Sequence, residues 1–101
     1  MFIGVGRYEI FIPASGSLKA KRQVLRSVTQ QVRHKYNVAI SEIDHQDLWQ
    51  RATLGVSCVS ETIGQCRKIL QEVEKTVGKV AMEGSAELVD RTTEFVSMDD
   101  L

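Results

Sequence analysis

The chain has 101 residues, with 13 Lys and Arg against 13 Asp and Glu, two His and a formal net charge of zero. This length predicts a single domain, and the content of 43% hydrophobic and 26% charged residues argues against a disordered or fibrous protein. Two cysteines argue against a disulfide scaffold, and no apolar run is long enough to predict a membrane span. The first residues lack a basic segment followed by a long apolar core, so we expect no secretory signal and a cytoplasmic location.

The first half of the chain predicts a strand, a helix and a second strand. Residues 2–12 alternate in polarity and are rich in β-formers, which predicts a strand that Pro13 ends. Ser17 is a predicted N-cap for a helix over residues 18–36, where the apolar residues change to helical spacing. Residues 38–44 predict the second strand.

The second half predicts two further strands around a second helix. Residues 48–59 predict a strand, and Ser60 is the predicted N-cap of a helix that Gly78 ends. Residues 86–96 are rich in Val and Thr and predict the last strand. Residues 97–101 predict an acidic, frayed tail.

The element order strand, helix, strand, strand, helix, strand predicts an α+β ferredoxin-like βαββαβ sandwich. Right-handed crossovers place both helices on one face of a four-stranded antiparallel sheet. We expect residues 1–96 to form this single domain. The other sheet face stays open, and the apolar residues that alternation places on it suggest a homodimer interface. These candidate interface residues are Ile3, Val5 and Phe11.

The predicted first helix is basic along its length. Residues 1–37 carry seven basic residues against one acid, a net charge of +6, and residues 38–101 carry a net charge of −6. Four cations of the helix fall within about 60° of one another and span about 21 Å of its axis, enough for about three or four phosphate contacts. We call these four residues the basic stripe: Lys19, Arg22, Arg26 and Arg33.

Two interpretations of the basic stripe remain open. In the first it binds a polyanion, with Lys21 as a further phosphate contact whose amine extends to solvent beside the apolar face. In the second it is an ordinary solvated face whose charges pair with acids from elsewhere in the fold, such as Glu72, Glu74 or the acidic fourth strand.

The segment 42–51 is the second candidate site, because it joins acids, a histidine, the only tryptophan and an arginine. Exposed aromatic rings and guanidinium planes are surfaces on which bases stack. We expect Trp49, Gln50 and Arg51 to supply stacking and polar contacts to RNA, with Trp49 and Arg51 placed by alternation on the open sheet face. Alternatively, Trp49 closes the edge of the core.

The acids of this segment allow a third interpretation, in which the protein is an enzyme that acts on phosphate esters. The residues concerned are Glu42, Asp44, His45 and Asp47. Alternate residues of a strand point to opposite faces, the spacing matches no standard metal site, and no nucleophile is evident. The sequence leaves enzymatic activity open and favours its absence, with no catalytic residue, metal or cofactor expected.

Several short blocks of the sequence follow the order found in a known family. They are residues 17–22 (SLKAKR), 36–42 (YNVAISE), 46–52 (QDLWQRA), 54–56 (LGV) and 86–90 (AELVD). These blocks resemble the YlxP-like family of small bacterial proteins, a domain of unknown function, and the resemblance covers residues 2–96. Arg91 and Thr93 depart from it, because apolar residues are common at these positions of the family.

The resemblance implies the ferredoxin-like fold. It also implies a role near the ribosome, because genes of the family often lie between those of a translation initiation factor and a ribosome-binding factor needed for small-subunit maturation. The family has no established activity, so it implies no catalytic residues.

Together these observations favour a non-enzymatic RNA-binding factor whose partner is ribosomal RNA or the small ribosomal subunit. The alternative is a homodimeric interaction or regulatory module that uses the open sheet face. We expect no membrane partner.

Overall fold

Four strands and two helices follow one another in the predicted order. The computed structural model describes residues 1–13 and 15–100. Its elements are β1 (Phe2–Phe11), α1 (Leu18–Lys35), β2 (Ala39–Asp44), β3 (Arg51–Ser60), α2 (Ile63–Glu83) and β4 (Glu87–Ser97). The strands form one antiparallel sheet in the order β2-β3-β1-β4, which confirms the ferredoxin-like sandwich.

The core lies between the two helices and one face of the sheet. β1 supplies Tyr8 and Ile10, Ile12 follows directly after the strand, and α1 supplies Val28 from its apolar stripe; all four residues are buried. The Tyr8 hydroxyl donates a hydrogen bond to the Leu70 carbonyl oxygen of α2 at 3.1 Å, which fixes the helix on the central strand. The alternation predicted for β1 is therefore confirmed.

The prediction that α2 ends at Gly78 is wrong. The predicted N-cap Ser60 is also wrong, because Ser60 ends β3 and Thr62 caps the helix, which runs through Gly78 and ends at Glu83. Its apolar stripe continues with Val80 and Ala81, which are buried, so packing against the sheet outweighs the low helix propensity of one glycine.

Regular secondary structure continues further toward the C-terminus than the sequence predicts. β4 extends to Ser97, and Met98–Asp100 forms a short 3-10 helix. The Met98 amide donates to the Met1 carbonyl oxygen at 2.9 Å, which ties the two ends of the chain together. The expected fraying of Leu101 lies outside the described residues.

Candidate functional site

The basic stripe lies on the solvent side of α1, and all four of its side chains are exposed. The Ser17 side chain caps the helix by accepting a hydrogen bond from the Ala20 amide at 3.1 Å, as predicted. The first turn contains no acid, so the cations near this end receive no local compensation.

Among the side chains that the structure describes, which are those of residues 1–13 and 15–99, no carboxylate forms a salt bridge with a residue of the basic stripe. The two acids that the sequence offered as partners are engaged elsewhere. Glu72 pairs with Lys75 at 3.4 Å, and Glu74 pairs with Arg91 of β4 at 2.6 Å. The stripe is therefore a positively charged surface within a chain of zero net charge.

At its C-terminal end the stripe reaches the sheet edge formed by β2. Arg33 Nη2 donates a hydrogen bond to the Ile40 carbonyl oxygen of β2 at 3.0 Å. Val24 lies about 180° around the helix from Arg33, and its methyl carbons would lie 3.3 Å from a Cβ built on Gly84 at the end of α2. Arg33 therefore points away from α2 and toward the free edge of the sheet.

Lys21 does not belong to this exposed surface, and the prediction that its amine extends to solvent is wrong. Its side chain is 1% exposed, and Nζ lies 2.9 Å from Glu42 Oε2 of β2. The same Nζ donates to the carbonyl oxygens of His45 at 2.6 Å and Leu48 at 2.7 Å. Lys21 thus fixes the β2–β3 connection against the first turns of α1.

The sequence carried a signal for this burial. Lys21 precedes Leu25 by one helical turn and Val28 by two, so it lies on the apolar face of the helix. What the helix pattern could not reveal is the partner, because the carboxylate and the two carbonyl groups come from a distant part of the chain.

The β2–β3 connection, residues 45–50, is a compact turn rather than the start of β3. β3 begins at Arg51, and the Leu48 amide donates to the His45 carbonyl oxygen at 3.0 Å. His45 has a positive φ of 64°, and Asp44 Oδ1 accepts a hydrogen bond from its amide at 2.8 Å. The ring of His45 is anchored through Nδ1, which lies 2.9 Å from the Oγ1 of buried Thr53.

The far end of the connection is attached to the two residues that follow β1. Gln50 Nε2 donates to the Pro13 carbonyl oxygen at 3.0 Å, and the Gln50 carbonyl accepts from the Ile12 amide at 2.8 Å. Gln50 is therefore a structural contact through its side chain as well as a candidate RNA contact. Arg51 pairs in register with Phe11, and its side chain is exposed.

Trp49 is 52% exposed at the tip of this connection. The interpretation in which it closes the edge of the core therefore does not hold, since half of its surface meets solvent. Because Trp49 lies before β3, strand alternation does not determine its direction. It flanks a shallow depression of about 380 Å³ that residues 47–51 line.

The acids near this connection do not converge on one point. Glu42 is held by Lys21, and Asp44 lies 3.9 Å from the exposed Arg7 guanidinium. Among the side chains of residues 1–13 and 15–99, no three His, Cys, Asp or Glu form a group that could hold a metal ion.

The open sheet face is the second candidate surface. Val5 and Phe11 are each 38% exposed there, and Ile3 is half-buried. A trough of about 530 Å³ crosses this face, because small residues such as Ser41 and Ser57 leave space between Val5 and the larger side chains.

In the described part of the chain, neither helix contains a segment long and apolar enough to cross a membrane.

Solved structures share this fold at low sequence identity. A C-terminal segment of the alpha subunit of aIF2 from Pyrococcus abyssi has a TM-score of 0.54 and 12% identity, over 97% of this chain and 51% of that one. A dinuclear metal-binding M20-family peptidase from Bacillus subtilis has a TM-score of 0.59 and 6% identity, over 92% of this chain and 25% of that one. A de novo designed protein with a ferredoxin fold has a TM-score of 0.53 and 16% identity, over 93% of this chain and 85% of that one. This chain spans about half or less of the two natural proteins, and the likeness concerns the fold alone.

Comparison of sequences identifies the family of the chain, which the likeness in fold does not. The profile of the family described as "Protein of unknown function (DUF503)" matches residues 3–93. The relative "Uncharacterized protein YlxP" from Bacillus subtilis (strain 168) is 46% identical over 71 residues, which are 70% of this chain and 77% of the relative. The match covers most of the domain and agrees with the sequence blocks that resemble the YlxP-like family. The chain therefore belongs to the DUF503 family.

Proposed function

We propose that the protein is a non-enzymatic RNA-binding factor of the ribosome or of small-subunit maturation, and that it binds RNA through the basic stripe. The observation that carries this proposal is the set of four exposed cations on one side of α1, with no salt bridge to any described carboxylate. Regularly spaced cations on a helix face suit a phosphate backbone, because such contacts need charge and spacing but no base recognition.

The fold places this charge where a polymer could reach it. The stripe lies beside the edge strand β2, and Arg33 contacts β2 through Ile40. α2 serves as an internal comparison, because its exposed face mixes Lys and Arg with Glu and includes the Lys75–Glu72 pair. Local potential rather than net charge governs attraction of a polyanion, so a net charge of zero does not oppose the proposal.

The ribosome as the source of the RNA rests on the family resemblance. The gene neighbourhood that this resemblance implies lies beside translation initiation and small-subunit maturation. The proposal names ribosomal RNA or the small subunit as the partner for that reason.

A charge-reversal variant tests the proposal. Arg22, Arg26 and Arg33 are changed to Glu together, and binding to small ribosomal subunits is measured by co-sedimentation, with ribosomal RNA fragments measured by fluorescence anisotropy. We expect the variant to lose both associations, because three favourable phosphate contacts become repulsive. Unchanged association would overturn the proposal.

A matched control reverses three exposed cations of α2. Arg67, Lys68 and Lys79 are changed to Glu, which alters the net charge by the same amount at a different surface. We expect this control to keep its RNA binding. Thermal unfolding of both variants establishes that each remains folded.

A homodimer through the open sheet face is the second candidate. It is favoured by the exposed apolar residues Val5 and Phe11 and by the trough beside them. Three strands of ten or eleven residues and one of six give a face of about 600 Å², somewhat below the roughly 800 Å² per partner of a standard interface. Sedimentation of the wild type and of Val5→Glu tests it, and monomers in both cases would remove this candidate.

A further inference from the structure

The indole of Trp49 is exposed, and the main chain on both sides of it is fixed by hydrogen bonds. An unrestrained loop can turn a large apolar side chain inward, but here the main chain is attached on both sides of Trp49. The Leu48 carbonyl accepts from Lys21 Nζ at 2.7 Å, and the Gln50 carbonyl accepts from the Ile12 amide at 2.8 Å. The main chain that carries the exposed ring is therefore fixed by contacts from α1 and from the residue that follows β1.

The surroundings of the ring suit a planar partner. The depression beside Trp49 has a volume of about 380 Å³, and its lining is mostly apolar. It is open and shallow, so a flat ring could lie against the indole without rearrangement of the core. Stacking of this kind gains energy from any nucleic-acid base, because every base has an apolar face.

Lys21 holds the β2–β3 connection, which carries Trp49, close to the first turn of α1. Its Nζ lies 2.6 Å from the His45 carbonyl oxygen and 2.7 Å from that of Leu48. A lysine side chain extends about 6 Å from its Cα, so the connection lies within about 9 Å of the α1 backbone. Lys19 and Arg22 lie in the same turn of α1 as Lys21, about 160° and 100° around the helix from it on the exposed side. The stripe therefore runs along α1 from Arg33 toward the end of the helix at which Trp49 stands.

We propose that the basic stripe and Trp49 form one continuous binding site for single-stranded RNA, in which phosphates contact the stripe and an unpaired base stacks on the indole. This inference rests on the proposed function and specifies its substrate class. A duplex keeps its bases stacked on one another and presents only their edges, so it engages the stripe but cannot use the indole face. Single-stranded RNA engages both.

The only tryptophan of the chain is also the reporter for this site. Wild-type protein is titrated with a short oligouridylate and, separately, with an RNA duplex of the same length, while Trp49 fluorescence and the anisotropy of labelled RNA are recorded. We expect quenching with the single strand and little change with the duplex. We also expect tighter binding of the single strand at equal salt concentration.

Two substitutions at the ring separate stacking from folding. Trp49→Ala is expected to weaken oligouridylate binding by about 5- to 150-fold, the usual range for one lost base–aromatic contact. Trp49→Phe keeps an aromatic face and is expected to bind within a few-fold of the wild type. Met82→Ala removes an exposed apolar side chain of α2 and is expected to change nothing.

The outcomes distinguish this inference from the proposed function. If the triple reversal of the stripe abolishes RNA binding while Trp49→Ala binds as the wild type does and no quenching occurs, the stacking site is overturned and the proposed function stands. Equal affinity for duplex and single strand, with unquenched fluorescence, overturns it in the same way. If no RNA binds the wild type, both are overturned together.

Discussion

Lys21 Nζ lies 2.9 Å from Glu42 Oε2, and this ion pair joins α1 to the edge strand β2. The lysine side chain is 1% exposed, whereas that of Glu42 is 27% exposed. Among the described residues, no other polar group satisfies Glu42 Oε2. A buried charge is tolerated only when it is paired and hydrogen-bonded, and Lys21 meets this requirement with one carboxylate and two carbonyl oxygens.

The substitution Lys21→Met should destabilise the protein, although methionine fits the space and is apolar. It leaves Glu42 without its partner and removes the donor for the His45 and Leu48 carbonyl groups. We expect the free energy of unfolding to fall by about 2–4 kcal/mol. Urea denaturation followed by circular dichroism measures this loss.

Lys68→Met provides the matched control, because Lys68 is an exposed lysine of α2. We expect it to change the free energy of unfolding by no more than about 0.5 kcal/mol. If Lys21→Met is as stable as this control, the buried pair does not hold the β2–β3 connection in place.

Gly6 is predicted to tolerate no side chain, because the ring of Tyr8 covers it. A Cβ at Gly6 would lie 2.7 Å from the Tyr8 hydroxyl oxygen and 2.8 Å from a ring carbon. Tyr8 cannot move freely, since its hydroxyl is bonded to the Leu70 carbonyl. We expect Gly6→Ala to lower the free energy of unfolding by about 1–3 kcal/mol in chemical denaturation.

The same substitution in α2 should have the opposite sign. A Cβ at Gly64 would meet no atom within 4 Å. We expect Gly64→Ala to raise the free energy of unfolding by about 0.4–1 kcal/mol, because alanine has the higher helix propensity and fewer unfolded conformations. A loss of stability at Gly64, or none at Gly6, would contradict this account of the two glycines.

The protein should lose stability in alkali. Burial raises the pKa of Tyr8 from 10.0 to about 12, and nearby Glu74 and Cys58 add to the effect. Burial also raises the pKa of Cys58 from 9.0 to about 11, with a further contribution from Cys66. In both cases the folded state favours the neutral form more strongly than the unfolded state does.

The stabilisation from these two groups is complete below about pH 9 and is lost as the pH rises toward 12. Between its unfolded and its folded pKa, each group is ionised in the unfolded chain but neutral in the folded one. In that range it lowers the free energy of unfolding by about 1.4 kcal/mol per pH unit. Chemical denaturation at a series of pH values measures how the free energy of unfolding falls as the pH rises. We expect this fall to be less steep above pH 9 in Cys58→Ala and less steep above pH 10 in Tyr8→Phe. Unchanged slopes in both variants would refute the assignment.

Periodicity is sufficient to predict β1 and α1 because each has one buried face, whereas β4 has no fully buried residue and is predicted from its Val and Thr content. The alternation that buries Tyr8 and Ile10 in β1 and the spacing that buries Val28 in α1 are local properties of the sequence. The end of α2 was not predictable from Gly78 alone, since contacts of Val80 and Ala81 with distant elements decide it.

The candidate site was predictable only in part. The basic stripe follows from helical spacing, and the structure places its four residues on one exposed side. The burial of Lys21 depends on Glu42, which lies on another element, and on the carbonyl groups of a turn. Such pairing is long-range in sequence, so charge counting alone assigns Lys21 to the wrong surface.

RNA binding through the basic stripe should depend strongly on salt concentration. If all four cations contact phosphates of a single strand, the slope of log Kobs against log salt concentration should be about −3. Removing one contact with Arg26→Gln should reduce the magnitude of that slope by about 0.7, whereas Lys68→Gln on α2 should leave it unchanged. Fluorescence anisotropy titrations at several salt concentrations measure these slopes. Equal slopes for the wild type and Arg26→Gln would mean that this guanidinium does not reach the phosphate backbone.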